Sequence, residues 1–147
     1  MTTNFNLFKG SKKTKMIFLA ILLISVICYL PFKLTIADKR EFRVVDVNGN
    51  SVNSAMARQT WYQYSLDYRR EQTHKADEGG YVFIPQRAIK TNLIDLTIGA
   101  ISKIMEYKIH AGIGSSDSIG VYAEGYNWKW FYDGEGLGKT VVLNRKK

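Results

Sequence analysis

The chain has 147 residues, a formal net charge of +8 at pH 7 and a single cysteine. Five of its basic residues but none of its acidic ones lie in the first 37 positions, so most of the net charge comes from that segment and a nucleic-acid-binding domain is excluded. The remaining residues, about 110, suffice for one compact domain but not for two. One cysteine also excludes a disulfide within the chain.

The N-terminal region combines lysines with a long apolar run. Residues 16–32 carry no charge and follow four lysines, Lys9, Lys12, Lys13 and Lys15. This pattern predicts a basic cytoplasmic tail over residues 1–15 and a transmembrane signal-anchor over residues 16–36. The excess of lysines before the run predicts a single-pass protein of the cell inner membrane, with residues 38–147 forming a periplasmic domain.

Two alternatives to a retained anchor stay open. Thr35-Ile36-Ala37, which ends in a small residue, is a candidate cleavage site, and cleavage there would make the segment a signal peptide. Cys28 is a candidate for lipid attachment, although Ile27 before it is larger than the residue usually found there. Whether the chain keeps its transmembrane anchor or is lipid-modified, the membrane itself is a predicted partner, through its anionic inner face.

The first half of the domain shows alternating apolar residues typical of strands. We predict strands over residues 42–45 and 55–64, the first of them ending at the turn residues Asn48-Gly49. Residues 67–80 are polar without periodicity and are predicted to be a loop. A short apolar strand, residues 81–84, is closed by Pro85.

The second half contains one helix followed by strands. Asn92 is a candidate N-cap with Asp95 three residues later, and isoleucines then recur at helical spacing up to Met105. Alternation predicts further strands over residues 107–113, 119–126, 127–132 and 140–144. The fold class predicted is mainly β: a Greek-key β-sandwich of about seven strands with one inserted amphipathic helix, preceded by a single transmembrane helix.

Two segments resemble a known family. Residues 42–55 and 76–85 are similar to the opening of carboxypeptidase regulatory-like (transthyretin-like) domains, in which an Asp-x-x-Gly turn follows the first strand and another precedes an apolar strand. Asp46–Gly49 and Asp77–Gly80 occupy these turns. The helix resembles an insertion of exported bacterial members. The resemblance implies a seven-stranded Greek-key sandwich with an accessory, non-catalytic role.

Motifs for chemistry are incomplete. Gly138-Lys139-Thr140 lacks the first glycine of a phosphate-binding loop, and the calcium-loop pattern that begins at Asp46 stops after Asn50. The two histidines, His74 and His110, have no cysteine beside them for a zinc site. We therefore predict no enzyme activity, no cofactor and no metal. A hydrolase using His74, His110 and Asp117 is the weakest alternative.

Aromatic residues are the strongest candidates for function. Five of them are predicted to bind a partner or a glycan if they are exposed, and to fill the core if they are not: Trp61, Tyr62, Trp128, Trp130 and Tyr132. The function predicted is non-catalytic binding of a protein partner in the cell envelope, of which an immunity or inhibitor role is one form. The alternative is a glycan-binding module that stacks sugars on these rings.

Overall fold

A computed structural model describes residues 11–107 and 114–146 of the chain. Within them the chain forms two helices and nine strands. In order these are α1 (Lys12–Tyr29), β1 (Phe32–Ala37), β2 (Arg40–Asp46), β3 (Met56–Gln63), β4 (Tyr68–Lys75), β5 (Tyr81–Ile84), β6 (Arg87–Thr91), α2 (Leu93–Tyr107), β7 (Ser115–Tyr122), β8 (Lys129–Tyr132) and β9 (Thr140–Leu143).

The prediction of a transmembrane helix over residues 16–36 is wrong. Among the residues described, no helix is both long enough and apolar enough to span a membrane. Helix α1 contains Lys12, Lys13 and Lys15, and it ends at Tyr29, just before Pro31. Its uncharged part, residues 16–29, therefore rises only about 21 Å, against about 30 Å of hydrocarbon. The residues that complete the predicted span lie in β1 instead.

The strands are arranged in three sheets: β1-β6, β5-β2-β9 and β4-β3-β7-β8. All neighbouring strands are antiparallel except β2 and β9, which run parallel. The predicted count of about seven strands misses β1, β4 and β6, and β4 lies in the segment predicted to be a loop. Most of the strand predicted over residues 107–113 lies outside the described residues.

The main core lies between the three-stranded and four-stranded sheets. Phe42 and Val44 of β2 pack in the same cluster as Ile119 and Val121 of β7, and all four are buried. Alternation along each strand sends these apolar side chains inward and the intervening polar ones outward. Each large apolar side chain buried in this way contributes about 1.5–3 kcal/mol.

The two-stranded sheet covers a second, smaller cluster. Ile36 and Ala37 of β1 pack with Trp61 of β3, and Tyr68 and Ile89 lie at its margin. Trp61 is only 7% exposed. The inner face of β3 is therefore divided, with its first half on the main core and its second half beneath the β1-β6 sheet.

Both predicted Asp-x-x-Gly turns are present. The side chain of Asp46 accepts hydrogen bonds from the backbone N–H groups of Asn48 and Asn50, each at 2.9 Å. Asp77 accepts from the N–H of Tyr81 at 2.8 Å. Gly80 has φ +79°, and a Cβ there would lie 2.7 Å from the carbonyl oxygen of Val44. Glycine is thus required by both conformation and space.

Helix α2 begins where the capping pattern predicts. The N–H of Asp95 donates to Asn92 Oδ1, and Asn92 Nδ2 donates to Asp95 Oδ2, each at 2.8 Å. This reciprocal pair satisfies a free donor of the first helical turn. The helix packs closely on the loop after β3, because a Cβ on Gly99 would lie 1.7 Å from the carbonyl oxygen of Ser65.

Candidate binding surface

The four-stranded sheet has the most strands of the three sheets described, and its outer face carries a regular pattern of side chains. The register places Thr60 of β3 between Glu71 of β4 and Ser118 of β7, and Ser118 lies opposite Tyr132 of β8. Directly opposed residues point to the same side of a sheet. The outward side chains form one continuous surface, here called the open sheet face: Met56, Arg58, Thr60, Tyr62, Arg69, Glu71, Thr73, Lys75, Ser116, Ser118, Tyr122, Trp130 and Tyr132.

An aromatic stack occupies one end of this face. The rings of Tyr122 and Trp128 are nearly parallel, with centroids 4.0 Å apart, and Trp128 stacks on Trp130 at 5.6 Å. Gly120 lies opposite Trp130, and a Cβ there would come within 2.8 Å of Trp130 Cζ3. The missing side chain at Gly120 therefore makes room for the indole. Both tryptophans remain 45% exposed.

A groove of about 630 Å³ lies at the other end of the same face. Its lining is aromatic and polar: Thr60, Tyr62, Tyr64, Asp67, Arg69, Ser116, Asp117, Ser118, Tyr132 and Asp133. The rings of Tyr62 and Tyr64 meet edge to face, with centroids 4.6 Å apart. The hydroxyl of Tyr62 donates to Asp67 Oδ1 at 2.7 Å. These contacts hold the tyrosines in place before any ligand binds.

Charged side chains around the groove form ion pairs with neighbours of opposite charge. The hydrogen bond from Tyr62, followed by the ammonium group of Lys103, lowers the pKa of Asp67, and Lys103 Nζ lies 3.5 Å from Asp67 Oδ2. Across the sheet, Arg58 pairs with Glu71 at 2.6 Å. Both pairs are at least partly exposed, so they orient side chains more than they stabilise the fold.

Asp117 lines the groove, but its contacts are with other residues of the domain. Arg40 Nη2 lies 3.2 Å from Asp117 Oδ1, and the backbone N–H of Asp117 donates to Asp133 Oδ1 at 2.9 Å. Burial raises the pKa of Asp117, and Arg40 partly opposes this. His74 lines a different groove from Asp117, while His110 lies outside the described residues. The structure therefore does not bring His74 and Asp117 into one site.

The five aromatic residues named from the sequence fall on two sides of the sheet. Tyr62, Trp128, Trp130 and Tyr132 lie on the outer side, and Tyr132 is 66% exposed. Trp61 points inward and is covered by the β1-β6 sheet. Trp61 is thus a core residue, and the candidate surface consists of the other four with their neighbours.

Sequence reasoning missed the polar half of this surface. Arg69 and Glu71 alternate with Arg70 and Gln72 along β4, so both faces of that strand are polar. An apolar alternation, the usual signal of a strand, is absent there. The charged side chains at positions 69, 70, 71 and 75 have no period-two placement either, so this segment offered no local signal of a strand. No three His, Cys, Asp or Glu side chains cluster tightly enough to hold a metal within residues 11–107 and 114–146.

No family model matches this chain, and neither does any curated protein or solved structure. The likeness to transthyretin-like domains therefore stays a prediction.

Proposed function

We propose that this chain is a non-catalytic binding protein of the cell envelope and that its open sheet face binds a partner protein. The observation that supports this most directly is the exposure of Trp128, Trp130 and Tyr132 together on one sheet surface. Tryptophan, tyrosine and arginine dominate the energetics of protein interfaces. An exposed row of them on a monomer marks an interaction site more often than chance.

The composition around these rings favours a protein over a small ligand. Arg58, Arg69 and Lys75 lie on β3 and β4, across the same face from Trp130 and Tyr132 of β8, with Glu71 as the acidic side chain among them. Protein interfaces combine aromatic contacts with charged side chains that border them. A partner that fits this surface carries an apolar patch bordered by carboxylates.

A photocrosslinking pair tests the proposal. Benzoylphenylalanine replaces Tyr132 in one full-length variant and Phe83 in another. Phe83 is a matched control, because it is also aromatic, exposed and on a strand, but belongs to the three-stranded sheet. We expect one discrete envelope-protein adduct from position 132 and none of that mass from position 83. The same adducts from both positions, or none from position 132, would reject the open sheet face as the interface.

The groove supports glycan binding as a second candidate. Its tyrosine rings and the hydroxyls of Ser116 and Ser118 provide both flat and hydrogen-bonding surfaces. Stacking within the aromatic stack, however, already occupies part of the Trp128 ring, which sugars would need as a platform. Titrating the tryptophan fluorescence with cell-wall glycan fragments separates the candidates. A saturable change in fluorescence that Tyr132→Ala abolishes would favour glycan binding. No change in fluorescence with any fragment would reject it.

A further inference from the structure

Helix α2 carries an apolar face that the β domain does not cover. Leu96 and Ala100 of this helix are buried. At about 100° per residue, five other large apolar side chains fall on an arc of roughly 140° beside that buried stripe. All five are about half exposed or more: Leu93, Ile98, Ile101, Ile104 and Met105. The polar residue within this arc, Thr97, donates its hydroxyl to the carbonyl of Leu93 at 2.7 Å.

Helix α1 extends this apolar surface. The two helices are in contact, because Phe32, which begins the strand after α1, pairs with Thr91, which ends the strand before α2. No residue of α1 is buried, and apolar side chains cover its surface from Met16 to Tyr29 on every side. Its Ser25 also satisfies its hydroxyl internally, donating to the carbonyl of Ile21 at 2.9 Å.

Lysines surround the same region. Lys33 of β1 and Lys90 of β6 lie directly opposite each other and are both exposed. Two like charges in a cross-strand pair destabilise a sheet unless an anion lies between or above them. Lys12, Lys13 and Lys15 occupy the start of α1, whose first turn contains no acidic residue. The charge around the two helices therefore matches an anionic surface.

We propose that α2 lies on an anionic lipid surface, with its exposed apolar face and the adjoining α1 among the acyl chains and with Lys33 and Lys90 at the phosphate headgroups. A second copy of the chain would bring the same lysines against Lys33 and Lys90, whereas an anionic lipid surface would neutralise them. An amphipathic helix with basic residues at its margin is the usual element for such attachment. This is attachment to one surface of a bilayer, and it does not depend on the open sheet face.

A depth measurement on the full-length chain tests this assignment. Cys28→Ser removes the native thiol, and a single cysteine then carries an NBD label at Ile104, at Ser102 on the other side of α2, or at Thr73 on the open sheet face. The probes are vesicles of phosphatidylglycerol and phosphatidylcholine, with and without brominated acyl chains. We expect bromine to quench the label at position 104, to affect position 102 less and to leave position 73 unchanged.

Two results would overturn the proposal. One is a label at position 104 that stays unquenched while the protein floats with the vesicles. The other is a label at position 104 that becomes shielded without lipid as protein concentration rises, which would show a second copy on this face.

Charge provides an independent test with its own control. Lys33→Gln with Lys90→Gln is expected to weaken binding to phosphatidylglycerol vesicles by about 30-fold, since each lysine near such a surface contributes about five-fold. The matched control is Lys75→Gln with Lys129→Gln, which removes the same charge from the four-stranded sheet and should leave binding unchanged. Equal losses in both pairs would mean that only net charge matters and would contradict the assigned surface.

Discussion

The guanidinium group of Arg87 lies over the ring of Trp61, 4.6 Å from its centroid. Arg87 belongs to β6 and Trp61 to β3, so this contact joins the two-stranded sheet to the four-stranded one. The same guanidinium group donates to Gln59 Oε1 at 3.1 Å and to Gln72 Oε1 at 2.7 Å. The Arg87 side chain thus attaches the β1-β6 sheet to the four-stranded sheet. The attached sheet buries Trp61, while Tyr62 stays on the opposite, outer face.

Replacing Arg87 tests this junction. Arg87→Met is expected to lower the free energy of unfolding by about 2–3 kcal/mol, because it removes the cation–π contact and leaves buried Gln59 with an unpaired oxygen. Arg87→Lys should rescue little of this, since an ammonium group lacks the planar fork. Urea denaturation measures both. Lys90→Met, an exposed position on the same strand, is the control and should change stability by less than about 0.5 kcal/mol. Equal stability of all three variants would contradict the role of Arg87.

His74 gives the fold a pH dependence. Its Nε2 lies 3.1 Å from Arg87 Nη2, and burial, followed by the charge of Arg87, lowers the pKa of His74 below the ordinary 6.5. The unfolded chain therefore binds a proton at a pH where the folded chain does not. This contribution to stability is complete above pH 6.5 and is lost as the pH falls through the folded-state pKa.

The test compares the wild type with His74→Gln, whose amide oxygen still accepts from Arg87. We expect the urea concentration at the unfolding midpoint of the wild type to decrease as the pH is lowered from about 7.5 to about 5.5. The midpoint of the variant should change much less over the same interval. Parallel pH profiles would show that His74 does not cause the loss.

Gly120 is expected to be intolerant of any side chain because Trp130 fills its space. Gly120→Ala should cost about 1–3 kcal/mol, and the cost should shrink in the double variant with Trp130→Ala, since the clash is then absent. Gly114→Ala is the control, because nothing lies within 4 Å of the Cβ position there. Additive effects in the thermal or urea midpoints would contradict the assigned packing.

Gly99 controls how α2 docks on the domain. A Cβ at that position would meet the backbone of Ser65, so Gly99→Ala is expected to displace the helix rather than a side chain. Hydrogen exchange should then accelerate in α2, while β3 and β7 keep their protection. Ser102→Ala on the exposed side of the helix is the control. Unchanged exchange in α2 would show that the helix tolerates the added methyl group.

The sequence predicts well those elements whose signals are local. The alternation over residues 55–64 corresponds to β3, and the Asn92 cap and Asp46 turn form as their patterns indicate. Strand β4 escaped detection because its inner face carries Gln72 and His74, which bond to Arg87 rather than pack in an apolar core. That contact depends on a strand distant in sequence, and no local pattern contains it.

The site was predictable only in part for a similar reason. Alternation separates Trp61 from Tyr62, but it does not say which side is covered. The cover is the β1-β6 sheet, and most of β1 was assigned to a membrane span because Phe32 ends the apolar run and Leu34 and Ile36 follow it closely. The helix that precedes it ends at Tyr29, and Pro31 then directs the chain into the strand.

The most direct test of the account is the affinity of the crosslinked partner for the full-length chain carrying Tyr132→Ala, with Phe83→Ala as the control. If the open sheet face is the interface, Tyr132→Ala raises Kd by about 30-fold or more, as expected when an aromatic side chain carries much of the binding energy. Its unfolding free energy stays within about 0.5 kcal/mol of the wild type, because the side chain is exposed. Phe83→Ala leaves Kd unchanged. An unchanged Kd for Tyr132→Ala, or a loss of affinity with Phe83→Ala alone, would contradict the proposed function.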